Sequence, residues 1–229
     1  MIIDLKFDGK YVVIIGGGLE SYRKTLSFLN AGSKVLVVSM SFSSCIKKLH
    51  RMKKIDLLKA EIKDGRSFIN GLNPKPDVLV AATNDQNLNT QLVKYAKEAG
   101  CMVYAIDNPL ISDFIFPALA RIGEVRIAIS TDGRSPAMAR VLRKKIEKMI
   151  TQEDLLQIKL QNYVRQILKQ RILDQKVRKK AIYKILKDNH IKSLLRDEKF
   201  NEAQGVAMKI LEYFEIKDEG HKDLSVIKN

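Results

Sequence analysis

The residues best suited to chemistry in this 229-residue chain begin with three consecutive glycines, Gly16, Gly17 and Gly18. They follow the apolar run Tyr11–Ile15 and precede a stretch of helical character at residues 19–31. A glycine turn between a strand and a helix can cradle phosphate. Gly16 permits the tight turn, and Gly18 carries no Cβ to hold a phosphate off the backbone. The helix N-terminus behind it offers unpaired N–H groups. The spacing matches the G-x-G-x-x-G turn of dinucleotide-binding proteins, with Ser21 in the third glycine position. Serine is small enough for the close helix–strand packing required there. In such turns an acid after the second strand usually binds the adenosine ribose. Here that place holds Val38, Ser39, Met40 and Ser41. No carboxylate repels a 2′-phosphate and the serines can hydrogen-bond either cofactor form, so NAD and NADP are poorly separated by this argument, and NAD is the expectation.

Two further groups lie where a parallel sheet would present a ligand, at the carboxyl ends of strands. Thr83, Asn84 and Asp85 follow the apolar run 78–82. They suit cofactor contact and suit equally an N-cap for the next helix. Asp107, in Ala105-Ile106-Asp107-Asn108-Pro109, follows the run 102–106. A carboxylate there can act as a general acid or base, or serve as a turn aspartate before proline. No Ser-His-Asp or Cys-His set is visible, which leaves redox chemistry or simple proton transfer. Cys45 and Cys101 form no CxxC pair, and His50, His190 and His221 are scattered, so no metal site is expected.

The elements that must position these groups follow from where the breakers fall. All five prolines and ten of the twelve glycines precede residue 137. Strand-like runs at 11–15, 35–38, 55–60, 78–82 and 102–106 alternate with helical stretches at 19–31, 43–53 and 87–99. That alternation predicts βαβ units and a parallel sheet with helices on both faces, an α/β fold of Rossmann type. Residues 116–121 and 124–130 read as a hairpin turning at Ile122-Gly123. Ser135 before Pro136 is a suitable N-cap and first-turn pair for a long helix reaching about residue 150. Beyond it, 152–172, 175–188 and 199–215 have helical periodicity. The expected organisation is a nucleotide-binding domain over 1–113, a hairpin and long helix over 114–150, and a small all-helical domain over 151–229.

Composition fits a chain able to bury a core, with 45% hydrophobic residues. No apolar run approaches the roughly 20 residues of a membrane helix. The opening residues lack a signal peptide's apolar segment, which predicts a cytoplasmic location. The net charge of +15 is spread along the chain, with 24 basic against 14 acidic residues up to position 150 and 17 against 12 beyond it. A polyanionic small molecule suits that distribution as well as a nucleic-acid backbone does. No recognition helix or interleaved aromatic surface accompanies it, and no nucleic-acid or membrane partner is expected.

The ordered motifs sharpen this reading. VVIIGGG with Arg23-Lys24 (12–24), AATND (81–85), IDNP (106–109), FIFPALARIGEVRIAISTDGRSP (114–136), AR-x-LR-x-K-x-E (139–147) and KDNHIKSLLRDEKFNEA within 180–210 together resemble the siroheme synthase N-terminal module, the precorrin-2 dehydrogenase family. The resemblance covers about residues 1–215. It implies NAD-dependent oxidation of precorrin-2 to sirohydrochlorin in siroheme biosynthesis, with ferrochelatase activity, the insertion of Fe2+, in some members. It also implies cofactor contacts at Leu19, Glu20, Met40 and Ser41, and a catalytic role for Asp107. The region 114–150 becomes a dimerisation region, and the partner a second copy of the chain. The implied substrate is a tetrapyrrole rich in carboxylates, which would explain the positive charge. Arg134, Arg140 and Arg143 are candidates to bind it, Arg pairing with carboxylates bidentately; a solvated or dimer-facing helix surface explains them equally. Ser135 matches a family serine near the active site, while N-capping alone also accounts for it. His190 reads as a surface residue that could serve the substrate. The rival function is a non-catalytic NAD(H)-sensing regulatory module built on the same glycine loop; such modules usually carry the acid after strand two that is missing here.

Overall fold

The computed structural model describes residues 2–226, with side chains described through residue 216. It divides into two compact units, the first ending at Pro117 and the second beginning at Ala118. In the first unit, β1 (Tyr11–Ile15), β2 (Lys34–Ser39), β3 (Asp56–Lys59), β4 (Val78–Ala81) and β5 (Met102–Ala105) form one parallel sheet in the order β3-β2-β1-β4-β5. The strand order reverses between β1 and its neighbours β2 and β4, which is the switch point where such sheets open a ligand crevice.

The sheet is buried on both faces because alternate side chains of each strand point to opposite sides. Val13 and Ile15 of β1 join Leu79, Ala81, Val103 and Ala105 in a core closed by Ile69, Leu92 and Ala96. Val12 and Ile14 join Val35, Val37, Val78 and Val80 in a second core closed by Phe28, Ile46 and Leu49. The second core is covered by α1 (Leu19–Leu29) and α2 (Ser44–Arg51), the first by α3 (Gly65–Gly71) and α4 (Gln86–Glu98). The expected parallel sheet with helices on both faces is therefore present.

Two differences from the sequence reading have clear causes. Residues 65–71, bracketed by glycines, carry no helical period, yet they form α3. Asp64 caps its first turn, accepting from the Arg66 and Ser67 N–H groups, and Ile69 anchors it in the core. The strand expected from residue 116 begins only at Ala118. Pro117 supplies no N–H, and Phe116 packs edge-on against Phe28 and Tyr104 instead of joining a ladder.

The second unit opens with an antiparallel hairpin, β6 (Ala118–Ile122) and β7 (Val125–Ile129), turning at Gly123, whose φ is +54°. The long helix α5 (Pro136–Met149) packs on both strands. It is followed by α6 (Gln152–Arg171), α7 (Gln175–Lys187), α8 (Asn189–Arg196) and α9 (Phe200–Val226). Their core interleaves Leu160, Val164 and Leu168 with Ile185, Leu195, Ala207 and Leu211. The short helix α8 is separate from α7 because Asp188 starts a new helix, accepting from the His190 and Ile191 N–H groups. At the start of α6, Thr151 and Asp154 cap each other's backbone. Those hydrogen bonds, first from the Thr151 N–H and then from its hydroxyl, hold the Asp154 carboxyl below its usual range. The stabilisation is therefore complete above the ordinary carboxylate value and lost as pH falls through the lower folded one. Thr151→Ala should cost about 1 kcal/mol, read from the urea midpoint. For Asp154→Asn, the deficit relative to the parent should be present at pH 7 and shrink on acidification.

Candidate functional site

The site is built at the carboxyl ends of β1, β2 and β4. Gly16 leaves β1 at φ +128°, a backbone region closed to other residues, and donates its N–H to the Val38 carbonyl at 2.8 Å. A Cβ on Gly16 would lie 2.2 Å from the Ala82 carbonyl oxygen. One on Gly17 would lie 1.8 Å from the Ser41 carbonyl oxygen. The Ser43 N–H donates to the Gly17 carbonyl at 2.9 Å, so main chain from the β1 and β2 turns is held in direct contact. Gly18 differs from both. A Cβ there meets nothing within 4 Å, and Gly18 begins α1 with no side-chain cap on the first-turn N–H groups. This leaves open space at the helix N-terminus with first-turn donors uncapped, an arrangement suited to a phosphate. Ser21, in the third fingerprint position, is buried beneath the turn, its Oγ 2.9 Å from where a Gly16 Cβ would stand.

A cavity of about 600 Å³ opens beside this cradle. Of the residues expected to hold cofactor, it gathers Gly16, Gly17, Gly18, Ser39, Met40, Ser41, Thr83 and Asn84. Leu19, Glu20 and Asp85 do not line it. Leu19 is 57% exposed, Glu20 pairs with Arg23 one helical turn on, and Asp85 caps α4 through the Leu88 N–H. Thr83 is braced by the buried Asn89, donating from its hydroxyl to Oδ1 at 2.7 Å and accepting at its carbonyl from Nδ2 at 3.1 Å. The brace fixes the β4 turn that forms one wall of the cavity. Ala60, Glu61 and Ile62 after β3 also line the cavity; the sequence does not announce them, because β3 has only a weak strand signal and no motif follows it.

Asp107 stands two residues beyond β5, exposed and outside the cavity lining. The turn role open to it in the sequence falls to its neighbour. Asn108 caps the single helical turn Pro109–Ile111, accepting from the Leu110 N–H at 3.1 Å. Among the described residues the Asp107 carboxylate has no hydrogen-bond or ion-pair partner.

In the second unit, Ser135 caps α5, its Oγ accepting from the Met138 N–H at 3.3 Å. Arg143 pairs with Glu147 at 3.1 Å. Arg134 and Arg140 are exposed, and neither has an ion-pair partner among the described residues.

One arrangement in the first unit had no sequence signal. Lys24 of α1 lies 3.9 Å from the Phe116 ring centroid and 4.9 Å from that of Tyr104. Burial pushes its ammonium below the usual lysine value, partly opposed by Glu20. Burial likewise raises the Tyr104 hydroxyl. Aromatic faces partly replace the water this cation loses.

The reversed strand order, the glycine cradle and the cavity beside it define a Rossmann-type dinucleotide-binding protein. Comparison with known proteins agrees and narrows the class. A family model described as "Putative NAD(P)-binding" matches residues 3–118, and one described as "Sirohaem biosynthesis protein central" matches residues 123–149. A precorrin-2 dehydrogenase of Methanosarcina barkeri is 31% identical over 192 residues, covering 82% of this chain and 83% of its own length. The siroheme biosynthesis protein met8 of Schizosaccharomyces pombe is 32% identical over 150 residues, 66% of this chain and 56% of that protein. The solved structure of SirC, a precorrin-2 dehydrogenase, superposes with a TM-score of 0.72 at 20% identity, covering 91% of this chain and 99% of that one, which establishes the shared fold. The chain belongs to the precorrin-2 dehydrogenase family of siroheme biosynthesis proteins.

Proposed function

We propose that this chain oxidises precorrin-2 to sirohydrochlorin, passing a hydride to NAD+. The observation that carries the reading is an open phosphate cradle on the same sheet edge as a carboxylate, Asp107, that the fold itself leaves unused. When bound, NAD+ supplies the two-electron acceptor for the hydride. The chain's own residues do the rest. The first-turn N–H groups of α1 and the glycine backbone hold the pyrophosphate. Ser39 and Ser41 meet the adenosine ribose, and Thr83 and Asn84 border the path toward the nicotinamide. Loss of a hydride from the substrate must be matched by loss of a proton, and Asp107 is the base that accepts it.

The substrate's carboxylates call for cations; Arg134 before α5 and Arg140 in its second turn provide them, with Ser135 beside Arg134, and Arg143 in mid-helix joins them by exchanging its ion pair with Glu147. This fits a chain of net charge +15. The working unit is a homodimer formed through the 114–150 region. Met138, Val141 and Met149 of α5 support this, being 44%, 45% and 71% exposed and apolar. In this reading, residues 1–113 bind NAD and 151–229 form the helical domain, its last three residues lying outside the described ones. The setting is the cytoplasm; among the described residues no helix is long and apolar enough to cross a membrane. A regulatory module would need the cradle but no unengaged carboxylate at the strand edge. The deciding experiment gives purified protein precorrin-2 and NAD+ without oxygen. Sirohydrochlorin and NADH should form in equal amounts, and absence of NADH would refute the assignment.

A further inference from the structure

Among the described residues lining the cavity, Glu61 is the only one with an ionisable side chain. A lone carboxylate in a site for a pyrophosphate is unfavourable unless it stands away from the phosphates and faces a hydrogen-bond donor. We propose that Glu61 reads the base of the dinucleotide, accepting a hydrogen bond from the exocyclic amino group of adenine. The proposal rests on the dinucleotide reading above and adds the part of the ligand that this chain recognises.

Position along the sheet edge separates the base from the ribose. The cradle leaves β1, and the Ser39–Ser41 turn leaves β2, one strand over. Glu61 leaves β3, one strand further. Ser39 is in register with Lys59, and the Ala60 N–H donates to the Ser39 carbonyl at 3.3 Å. Neighbouring strands are about 4.8 Å apart, so Glu61 stands roughly 10 Å from the cradle and one step beyond the ribose position. An adenosine laid along this edge brings its base to β3.

The surroundings suit a flat heterocycle with one polar edge. Ala60, Ile62 and Leu88 line the same cavity and pack on one buried apolar cluster. The loop is also held at its far end. Asp64 caps α3, and Gly65 sits so close to α4 that a Cβ would lie 3.1 Å from Gln91. Among the described residues the only ion pair to Glu61 is Lys63 at 3.7 Å, with side chains 60% and 82% exposed respectively. Such a pair is weak and yields readily to a ligand.

The test titrates the full chain with NAD+, nicotinamide hypoxanthine dinucleotide and NADP+, by calorimetry. Hypoxanthine presents a carbonyl oxygen where adenine has its amino group. The parent chain should therefore bind the hypoxanthine analogue about tenfold or more weaker than NAD+. Glu61→Ala should bring the two to within about twofold, with an unchanged melting temperature because the position is exposed. A ratio that Glu61→Ala leaves unaltered overturns the proposal. If the substitution instead alters only the ratio of NAD+ to NADP+, the carboxylate serves the ribose, and the proposal is again overturned. A parent chain that binds no NAD+ would overturn the dinucleotide reading itself, a result distinct from either.

Discussion

Asp107→Ala should lower turnover of precorrin-2 by about 10²–10⁴-fold, the range for removing a positioned general acid or base, while NAD+ binds as to the parent chain. The two readouts separate because Asp107 lies outside the lining of the cofactor cavity. The substitution should also leave stability near the parent's. The carboxylate is exposed, has no partner among the described residues, and does not cap the turn that follows, since Asn108 does so. A structural aspartate would give the opposite pattern, a lower melting temperature with little change in turnover. Turnover equal to the parent's would remove Asp107 from the mechanism.

The second large effect is expected at the glycines, where neighbouring positions should fail in different ways. Gly17→Ala places a Cβ 1.8 Å from the Ser41 carbonyl oxygen, a backbone atom that can move only with its loop. Overpacking of this kind costs about 1–3 kcal/mol of stability, so the apo protein should melt at a lower temperature. Ser41 also lines the cavity, so the loop shift that relieves the clash should weaken NAD+ binding as well, by about tenfold for each 1.4 kcal/mol that falls on the bound state alone. Gly18→Ala meets nothing within 4 Å in the apo chain. It should leave the apo melting temperature unchanged and weaken NAD+ alone, because the added methyl stands where the pyrophosphate approaches. Equal melting of both variants, or undiminished NAD+ binding by both, would contradict the cradle.

The sheet and its two faces were legible because β1, β2, β4 and β5 are short runs of Val, Ile, Leu and Ala divided by glycine and helical segments. The cradle was legible for the same reason: Gly16, Gly17 and Gly18 are contiguous, and their context is local. What escaped depends on long-range contact or on a capping residue. Helix α3 exists through Asp64 and the burial of Ile69 and carries no period; α8, capped by Asp188, buries Ile191, Leu194 and Leu195 at helical spacing, but its eight residues are too few to stand out beside the longer helices. Glu61 reaches the cavity only because β3 pairs with β2, a register that a weak strand does not announce. Lys24 meets Phe116 across more than 90 positions of sequence, and no pattern connects them. Asp85 suits either cofactor contact or an N-cap from its position, and it caps α4; Glu20, placed toward the cofactor by resemblance, forms an ion pair within α1. Asp107 shows the reverse case, its alternative turn role being taken by the next residue.

The contact between the glycine turn and the loop after β2 is made by main chain alone, the Gly17 carbonyl accepting from the Ser43 N–H and Gly17 passing beneath the Ser41 carbonyl. No side chain from 39 to 41 bonds the two loops together; the long 3.4 Å bond from the Ser41 N–H to the Ser39 hydroxyl lies within the loop after β2. In the proposed site, the backbone that would hold a dinucleotide therefore does not depend on which side chains stand at 39 to 41. Selection can exchange those side chains without disturbing that backbone. An atypical sequence after β2, lacking the usual acid, is thus no sign of a degenerate cofactor site; it is the variation that such an anchoring tolerates.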